Sequence, residues 1–250
     1  MVENEVGRGM IRDTLYADPQ ARIEPFTFDE QVAAVFPDMI RRSVPGYELI
    51  LQALPWLAAR VVQPGTHVYD LGCSLGAGSQ AVRRGVRGEG CRIIAVDTSE
   101  AMIRRAGEWL GSFRSNVPVE LVQSDVLDVP IEHASLVLLN FTLQFIPLER
   151  RLELLRRIRA GMRPGGVLLL SEKIAFEDKR MEHLITELHH DFKRAQGYSE
   201  LEIAQKRQAL ENVLVPETLE AHRARLHEAG FVSCETWLQH TRFVSLLAMA

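Results

Sequence analysis

The chain has 250 residues, 46% of them hydrophobic, a formal net charge of −4 and three cysteines. That is ample material for a core, which excludes a disordered chain, and the acidic balance argues against a protein whose main task is gripping nucleic acid, which needs a basic face. Cys73, Cys91 and Cys234 are scattered with no paired spacing, so neither a zinc site nor a disulfide framework is indicated. A reducing cytoplasm is the expected home. The N-terminus has acids and no apolar run of a signal peptide, and no apolar stretch reaches the ~18 residues of a membrane span.

Residues 1–25 are polar and irregular and read as a flexible N-terminal segment. Residues 26–250 read as a single domain with a helical insertion at about 174–215. A helical pattern starts near Phe28, with Thr27 or Asp29 as its cap, and Pro37 is expected to interrupt it. Tyr47 opens a second amphipathic helix, expected to kink at Pro55 and to end at Pro64-Gly65. Val68 to Leu71 forms a strand that runs into Gly72-Cys73-Ser74-Leu75-Gly76 and then a helix over 79–86. A second strand, 91–96, ends on Asp97, and Ser99 caps the helix that follows, to about Gly111. A third strand covers 119–123 and leads to Asp125 and Val126; a strongly apolar fourth covers 134–140 and ends on Asn140. A helix from about Leu148 to Met162, a turn at Arg163-Pro164-Gly165-Gly166 and a fifth strand from Val167 follow. After the insertion come a helix from Pro216 to Gly230 and two strands, 231–238 and 242–249, that form a hairpin.

Strands alternating with helices predict an α/β fold: a doubly wound, mostly parallel seven-stranded sheet with a C-terminal antiparallel hairpin. Ligands of such sheets sit beyond the carboxyl ends of the strands, where Gly72, Asp97, Asp125 and Asn140 all fall. The glycine run lacks the spacing of a dinucleotide fingerprint, and Asp70, just ahead of it, would repel phosphate and attract a cation. Asp97 is placed to accept hydrogen bonds from ribose hydroxyls. Adenosine at one end and a sulfonium with an ammonium at the other suit both acids, so the expected ligand is S-adenosylmethionine. His189 and His190 are adjacent, point to different helix faces and make a poor metal pair.

The run from Asp70 to Gly78 resembles the first motif of class I methyltransferases, from which it departs at Ser74, where the middle glycine would stand. A closer resemblance lies in Arg42-Ser43-Val44-Pro45-Gly46-Tyr47, Tyr69-Asp70-Leu71-Gly72-Cys73-Ser74-Leu75-Gly76, Asn140-Phe141-Thr142-Leu143-Gln144-Phe145 and His189-His190-Asp191-Phe192-Lys193-Arg194. These blocks resemble the carboxy-S-adenosylmethionine synthases, a resemblance that runs from about residue 10 to the C-terminus. It implies a transferase that moves a carboxyl from prephenate to the methyl of S-adenosylmethionine, releasing phenylpyruvate and water. The product, carboxy-S-adenosyl-L-methionine, would serve a separate tRNA carboxymethyltransferase that makes 5-oxyacetyluridine at the wobble position. The resemblance also implies a homodimer, no metal, no direct nucleic-acid binding and no membrane. Carried over, it assigns ligand binding to Tyr47, Gly72, Cys73, Ser74, Asp97, Thr98, Asp125, Val126, Asn140 and Arg207, with Arg207 as the catalytic cation for the transferred carboxylate; Arg42, His189, Lys193 and Arg194 are weaker candidates for prephenate contacts. The residues alone leave two other readings open: a methyltransferase acting on a small molecule or tRNA, and a non-catalytic S-adenosylmethionine-binding module.

Overall fold

The computed structural model describes residues 11–250. Two helices, α1 (Glu30–Ser43) and α2 (Tyr47–Val61), precede the sheet. Then β1 (His67–Leu71), α3 (Ala77–Arg83), β2 (Arg92–Asp97), α4 (Glu100–Gly111), β3 (Val119–Gln123) and β4 (Ala134–Asn140) alternate. A single 3-10 turn (Leu143–Phe145), α5 (Leu148–Gly161) and β5 (Met162–Lys173) complete the parallel part. Next come α6 (Lys179–Ala195), α7 (Glu200–Leu210) and α8 (Leu219–Glu228), then β6 (Ser233–His240) and β7 (Phe243–Met249). The strand order is β3-β2-β1-β4-β5-β7-β6, with β7 antiparallel to both β5 and β6.

Alternation along the central strands splits the core into two layers, because successive side chains leave opposite faces of a strand. Leu136 and Leu138 of β4 join Val68 and Ile93 under Ile50, Leu54 and Ala58 of α2 and Ala81 and Val82 of α3. Val137 and Leu139 join Leu71, Val96 and Leu168 under Leu154, Leu155 and Ile158 of α5. All these side chains are buried. The sheet is therefore covered on both sides and offers a ligand only its ends.

Two local expectations are corrected. Pro37 does not interrupt its helix: α1 runs through it, and α2 likewise runs on through Pro55. A proline in a helix interior costs about 3 kcal/mol, which burial of Val32, Ala33, Val35 and Met39 on α1 offsets. On α2 burial of Ile50, Leu54 and Ala58 does the same, and Gly85 packs so closely on the Pro55 carbonyl that a Cβ there would stand 2.0 Å from its oxygen. The Arg163 to Gly166 turn lies inside β5 as a bulge: Ala134 pairs with Met162 and Leu136 with Val167, so four residues of β5 lie opposite Ser135 alone.

The segment expected to be flexible lies partly outside the described residues. Its described part, 11–25, is coil, yet it is pinned down. Asp13 is buried and accepts from the Tyr198 hydroxyl at 2.5 Å, and the Gln20 amide donates to the Gln205 side chain at 2.8 Å.

Candidate functional site

The glycine loop is shaped by backbone demands. Gly72 and Gly76 both have φ of +81°, a region that side chains disfavour. Ser74, at φ +48°, adopts the same left-handed conformation without being glycine, at a cost of roughly 1 kcal/mol. The generic glycine at this position thus has a backbone reason, and serine here accepts the strain. The Gly72 and Cys73 amides donate to the Val96 carbonyl at 2.8 and 2.9 Å, tying the loop to the end of β2. A Cβ on Gly72 would meet Thr142 Oγ1 at 2.3 Å, and that hydroxyl donates to the Leu71 carbonyl at 2.7 Å. The loop after β1 and the exit of β4 are therefore interlocked, through a threonine that the sequence reading missed.

Asp97 closes the loop from the other side. Its Oδ2 accepts the Ser74 amide and its Oδ1 the Ser99 amide, both at 2.9 Å. Each carboxylate oxygen keeps a further lone pair, so a ribose diol can be accepted as well. Burial raises its carboxyl above the usual range, and the Ser99 and Ser74 amides counter part of that rise. Thr98 is exposed. Val126 is buried among the apolar side chains beneath the strand ends. Asp125 is exposed, and its Oδ1 accepts the Leu127 amide at 2.9 Å, the geometry of a turn cap. Asn140, at the end of β4, has a buried Oδ1 with no hydrogen-bond partner among the described residues, an acceptor held ready for a donor. Tyr47 is buried at the start of α2, and burial, then the charge of Asp70, push its phenol upward. The Cys73 thiol is likewise raised by burial, Asp70 and Asp97, so it is no nucleophile here.

Asp70 is not open to a ligand in the way its place in the sequence suggests. It is 2% exposed, and its Oδ2 accepts the Ser79 hydroxyl at 2.7 Å. Its charge still acts on the site, as its effects on Tyr47 and Cys73 show. Burial, and less strongly the repulsion of Asp97, push it up to about 6, with Ser79 pulling the other way. The sign of the resulting pH dependence differs between the free and the loaded protein. In the free protein a carboxyl raised above its unfolded value of 3.8 contributes stability below that value and loses it as pH rises through about 6. A cationic ligand prefers the ionised carboxylate. S-adenosylmethionine affinity is therefore expected to drop roughly tenfold as pH falls from about 7 to about 5, with the slope flattened in Asp70→Asn. Calorimetric titration across that range checks it, and an equal slope in the variant would remove Asp70 from the account.

Arg207 stands apart. It is exposed on α7, and its guanidinium has no hydrogen-bond or ion-pair partner among the described residues. Its charge is felt by His190 and Lys193 on α6, both of which it pushes down. The structure thus gathers Gly72, Cys73, Ser74, Asp97, Asp125 and Asn140 at four strand ends, with Tyr47 on the adjoining helix. It does not bring Arg207 into contact with any of them. Two acids, a glycine backbone and an unpartnered amide oxygen at a strand edge suit a cationic adenosyl ligand, and among the described residues no group of three or more metal-ligating side chains forms.

Known proteins share the fold and much of the sequence. A family model described as a methyltransferase domain matches residues 68–166. A carboxy-S-adenosyl-L-methionine synthase of Yersinia enterocolitica is 54% identical over 95% of this chain and 90% of its own length. Its counterpart in Yersinia pestis is 52% identical over 95% of this chain and 89% of its own. Among solved structures, human N-acetylserotonin methyltransferase in complex with S-adenosylmethionine aligns with a TM-score of 0.61 at 20% identity, over 88% of this chain and 55% of that one. At that identity the likeness speaks to the fold alone, which is the Rossmann-like fold of class I methyltransferases.

Proposed function

The chain belongs to the carboxy-S-adenosyl-L-methionine synthase family, and from that premise we propose how its site is used and where its carboxyl comes from. It is a transferase whose substrate is S-adenosylmethionine and whose product is carboxy-S-adenosyl-L-methionine. The carboxyl donor is prephenate. Loss of its ring carboxyl as carbon dioxide and of its ring hydroxyl aromatises the ring and leaves phenylpyruvate. The departing hydroxide takes a proton from the sulfonium methyl and becomes water. The resulting carbon nucleophile is stabilised by the adjacent positive sulfur and captures the carbon dioxide. Such a step asks the protein mainly to hold two reactants close and to keep water out.

Asp97 holds the ribose, and Val126 with Asp125 flanks the adenine. The loop from Gly72 to Ser74, Tyr47 and Asn140 hold the remainder. Arg207 pairs with the transferred carboxylate through its planar fork, which a lysine would not reproduce. The observation that carries the adenosyl site is Asp97, at the tip of β2, accepting the Ser74 and Ser99 amides while a lone pair on each oxygen stays free for the diol. A homodimer is supported by the apolar outer face of α6, where Met181, Leu184 and Leu188 are each more than two-fifths exposed. The cytoplasm as workplace, and a separate tRNA carboxymethyltransferase as the consumer of the product for wobble-uridine modification, follow from the same reading. Three free cysteines fit that setting.

The test is intact-mass analysis of the small molecule released after incubation with S-adenosylmethionine and prephenate. The expected product is heavier than S-adenosylmethionine by one carbon dioxide and forms only when prephenate is present. A carboxylated product that forms equally without prephenate would overturn the donor assignment. S-adenosylhomocysteine together with a methylated acceptor would instead favour a methyltransferase.

A further inference from the structure

Around the α1–α2 turn the chain buries an unusual number of cations, and most of them are matched. Lys206 pairs with Asp13 at 3.3 Å and donates to Ser43 Oγ at 3.0 Å. Arg42 pairs with Asp38 at 3.0 Å, and Arg242 pairs with Glu182. Two lysines are left over. Lys193, on the inner face of α6, is 8% exposed, and Lys173, at the carboxyl end of β5, is largely buried. Neither ammonium has a hydrogen-bond or ion-pair partner among the described residues, and the two repel each other. Burial first, then the charges of Lys206 and Lys173, push Lys193 down to about 7, with Asp13 pulling the other way; burial and the charge of Arg242 push Lys173 down to about 8, with Glu182 opposing. Arg207, also unpartnered, adds to the pressure on Lys193. Glu182 acts on Lys173 and Asp13 on Lys193 only from beyond ion-pair distance. Two largely desolvated ammoniums thus lack a direct counter-ion, a cost that an anion bound between them would relieve.

The surroundings say where that anion sits and what else it carries. Lys173 lies on the strand edge that holds the adenosyl site, and its amide donates to Gln144 Oε1 at 3.1 Å, just beyond Asn140 and Phe141. Its strand partner is Phe243. The Phe243 ring packs edge-on against Phe141 at 6.0 Å on one side and His189 at 4.9 Å on the other. His189, one turn before Lys193, is held neutral by burial, and its Nε2 donates to the Ser43 carbonyl at 2.8 Å. The same hydrogen bond steadies the turn that presents Tyr47. A row of aromatic rings thus leads from the adenosyl site to the unpaired lysines.

We propose that Lys173 and Lys193 form the subsite for the carboxyl donor, gripping the two carboxylates of a ring-bearing dianion whose ring lies along Phe141, Phe243 and His189. This rests on the donor reading above and deepens it by naming the side chains that take the donor. Arg207 then remains free for the carboxylate once it is on the methyl.

The test uses Lys173→Met and Lys193→Met, which keep length and remove charge, with the two arginine variants as charge-retaining controls. Prephenate is titrated into the whole protein loaded with S-adenosylhomocysteine, which lacks the reacting methyl and cannot turn over. Each methionine variant is expected to bind prephenate at least tenfold more weakly than wild type, while S-adenosylmethionine affinity stays within about twofold and arginine restores most of the loss. The thermal midpoint without donor is expected to stay level or rise, because an unpaired buried charge has been removed. Unchanged prephenate binding in both methionine variants overturns the subsite even if wild type makes carboxylated product. If wild type does not bind prephenate, the donor reading fails by itself. Phenylmalonate, another ring-bearing dicarboxylate, then decides the subsite: lysine-dependent binding upholds it, and lysine-independent or absent binding overturns it.

Discussion

Asp97→Ala is expected to weaken S-adenosylmethionine binding on the order of 100-fold, close to 3 kcal/mol. Two losses combine. The ribose hydroxyls lose a charged acceptor, and hydrogen bonds to ionised groups are worth about 1.5–3 kcal/mol. The Ser74 and Ser99 amides, which Asp97 accepts at 2.9 Å each, lose their partner as well. The glycine loop is then no longer tied to the tip of β2 through a side chain, although the Gly72 and Cys73 amides still hold the Val96 carbonyl. The fold should survive, since Ser99 keeps its cap on α4 through the Met102 amide and its own hydroxyl bond to Phe28. Asp97→Asn should fall between alanine and wild type, because the amide retains one acceptor oxygen. Calorimetric binding together with a thermal melt separates loss of affinity from loss of structure. An affinity within threefold of wild type in a folded Asp97→Ala protein would refute the ribose assignment.

Arg151→Met is expected to destabilise the protein by about 3–5 kcal/mol and to lower its thermal midpoint by roughly 10 °C. Arg151 is fully buried on α5. Its Nε donates to the Ile146 carbonyl at 2.9 Å, and its Nη2 to the Val215 carbonyl at 2.9 Å and the Gln144 carbonyl at 3.2 Å, while Nη1 pairs with Glu217. One guanidinium thus joins the turn after β4, α5 and the segment that leads into α8. Its removal leaves buried carbonyls without donors and Glu217 with Arg225 as its remaining cation. Nearby, burial already pushes the Glu172 carboxyl well above the usual range, and the Arg151 charge is the largest influence pulling it back. Arg151→Lys should recover only part of the loss, since a single ammonium cannot reach four acceptors in a plane. Chemical denaturation of the three proteins decides the matter. A loss under 1 kcal/mol in the methionine variant would mean that water replaces the guanidinium at no great cost.

Both residues sit where chain segments distant in sequence meet, and this explains which parts of the molecule were legible in advance. The strands were legible because burial on two faces leaves an unbroken apolar run, as in Leu136 to Leu139, and because glycines and helix caps mark the ends. Asp97 and Asn140 were legible because a parallel sheet brings successive strand ends to one edge. Tyr47 and Arg207 are assigned by the family resemblance alone, since their own neighbourhoods read as ordinary helix, and the structure leaves Arg207 out of contact with the strand-end residues.

Other features depend on partners far along the chain. Pro55 stays inside α2 because Ile50, Leu54 and Ala58 of that helix are buried against Val68, Ile93 and Leu136 of the sheet, and Gly85, thirty residues on, is small enough to pack on its carbonyl. Asp70 reads as a ligand-facing acid until Ser79 is seen to occupy it. The N-terminal coil reads as loose until Asp13 meets Lys206 and Tyr198. The family resemblance offers Lys193 as a weaker candidate for a prephenate contact, whereas Lys173 reads as an ordinary lysine at a strand end, and only the completed fold leaves both largely buried without a direct partner. Strand, turn and cap preferences act between near neighbours, so composition and spacing determine them. The partner of a charge, and whether it has one, depends on which segments the completed fold brings together.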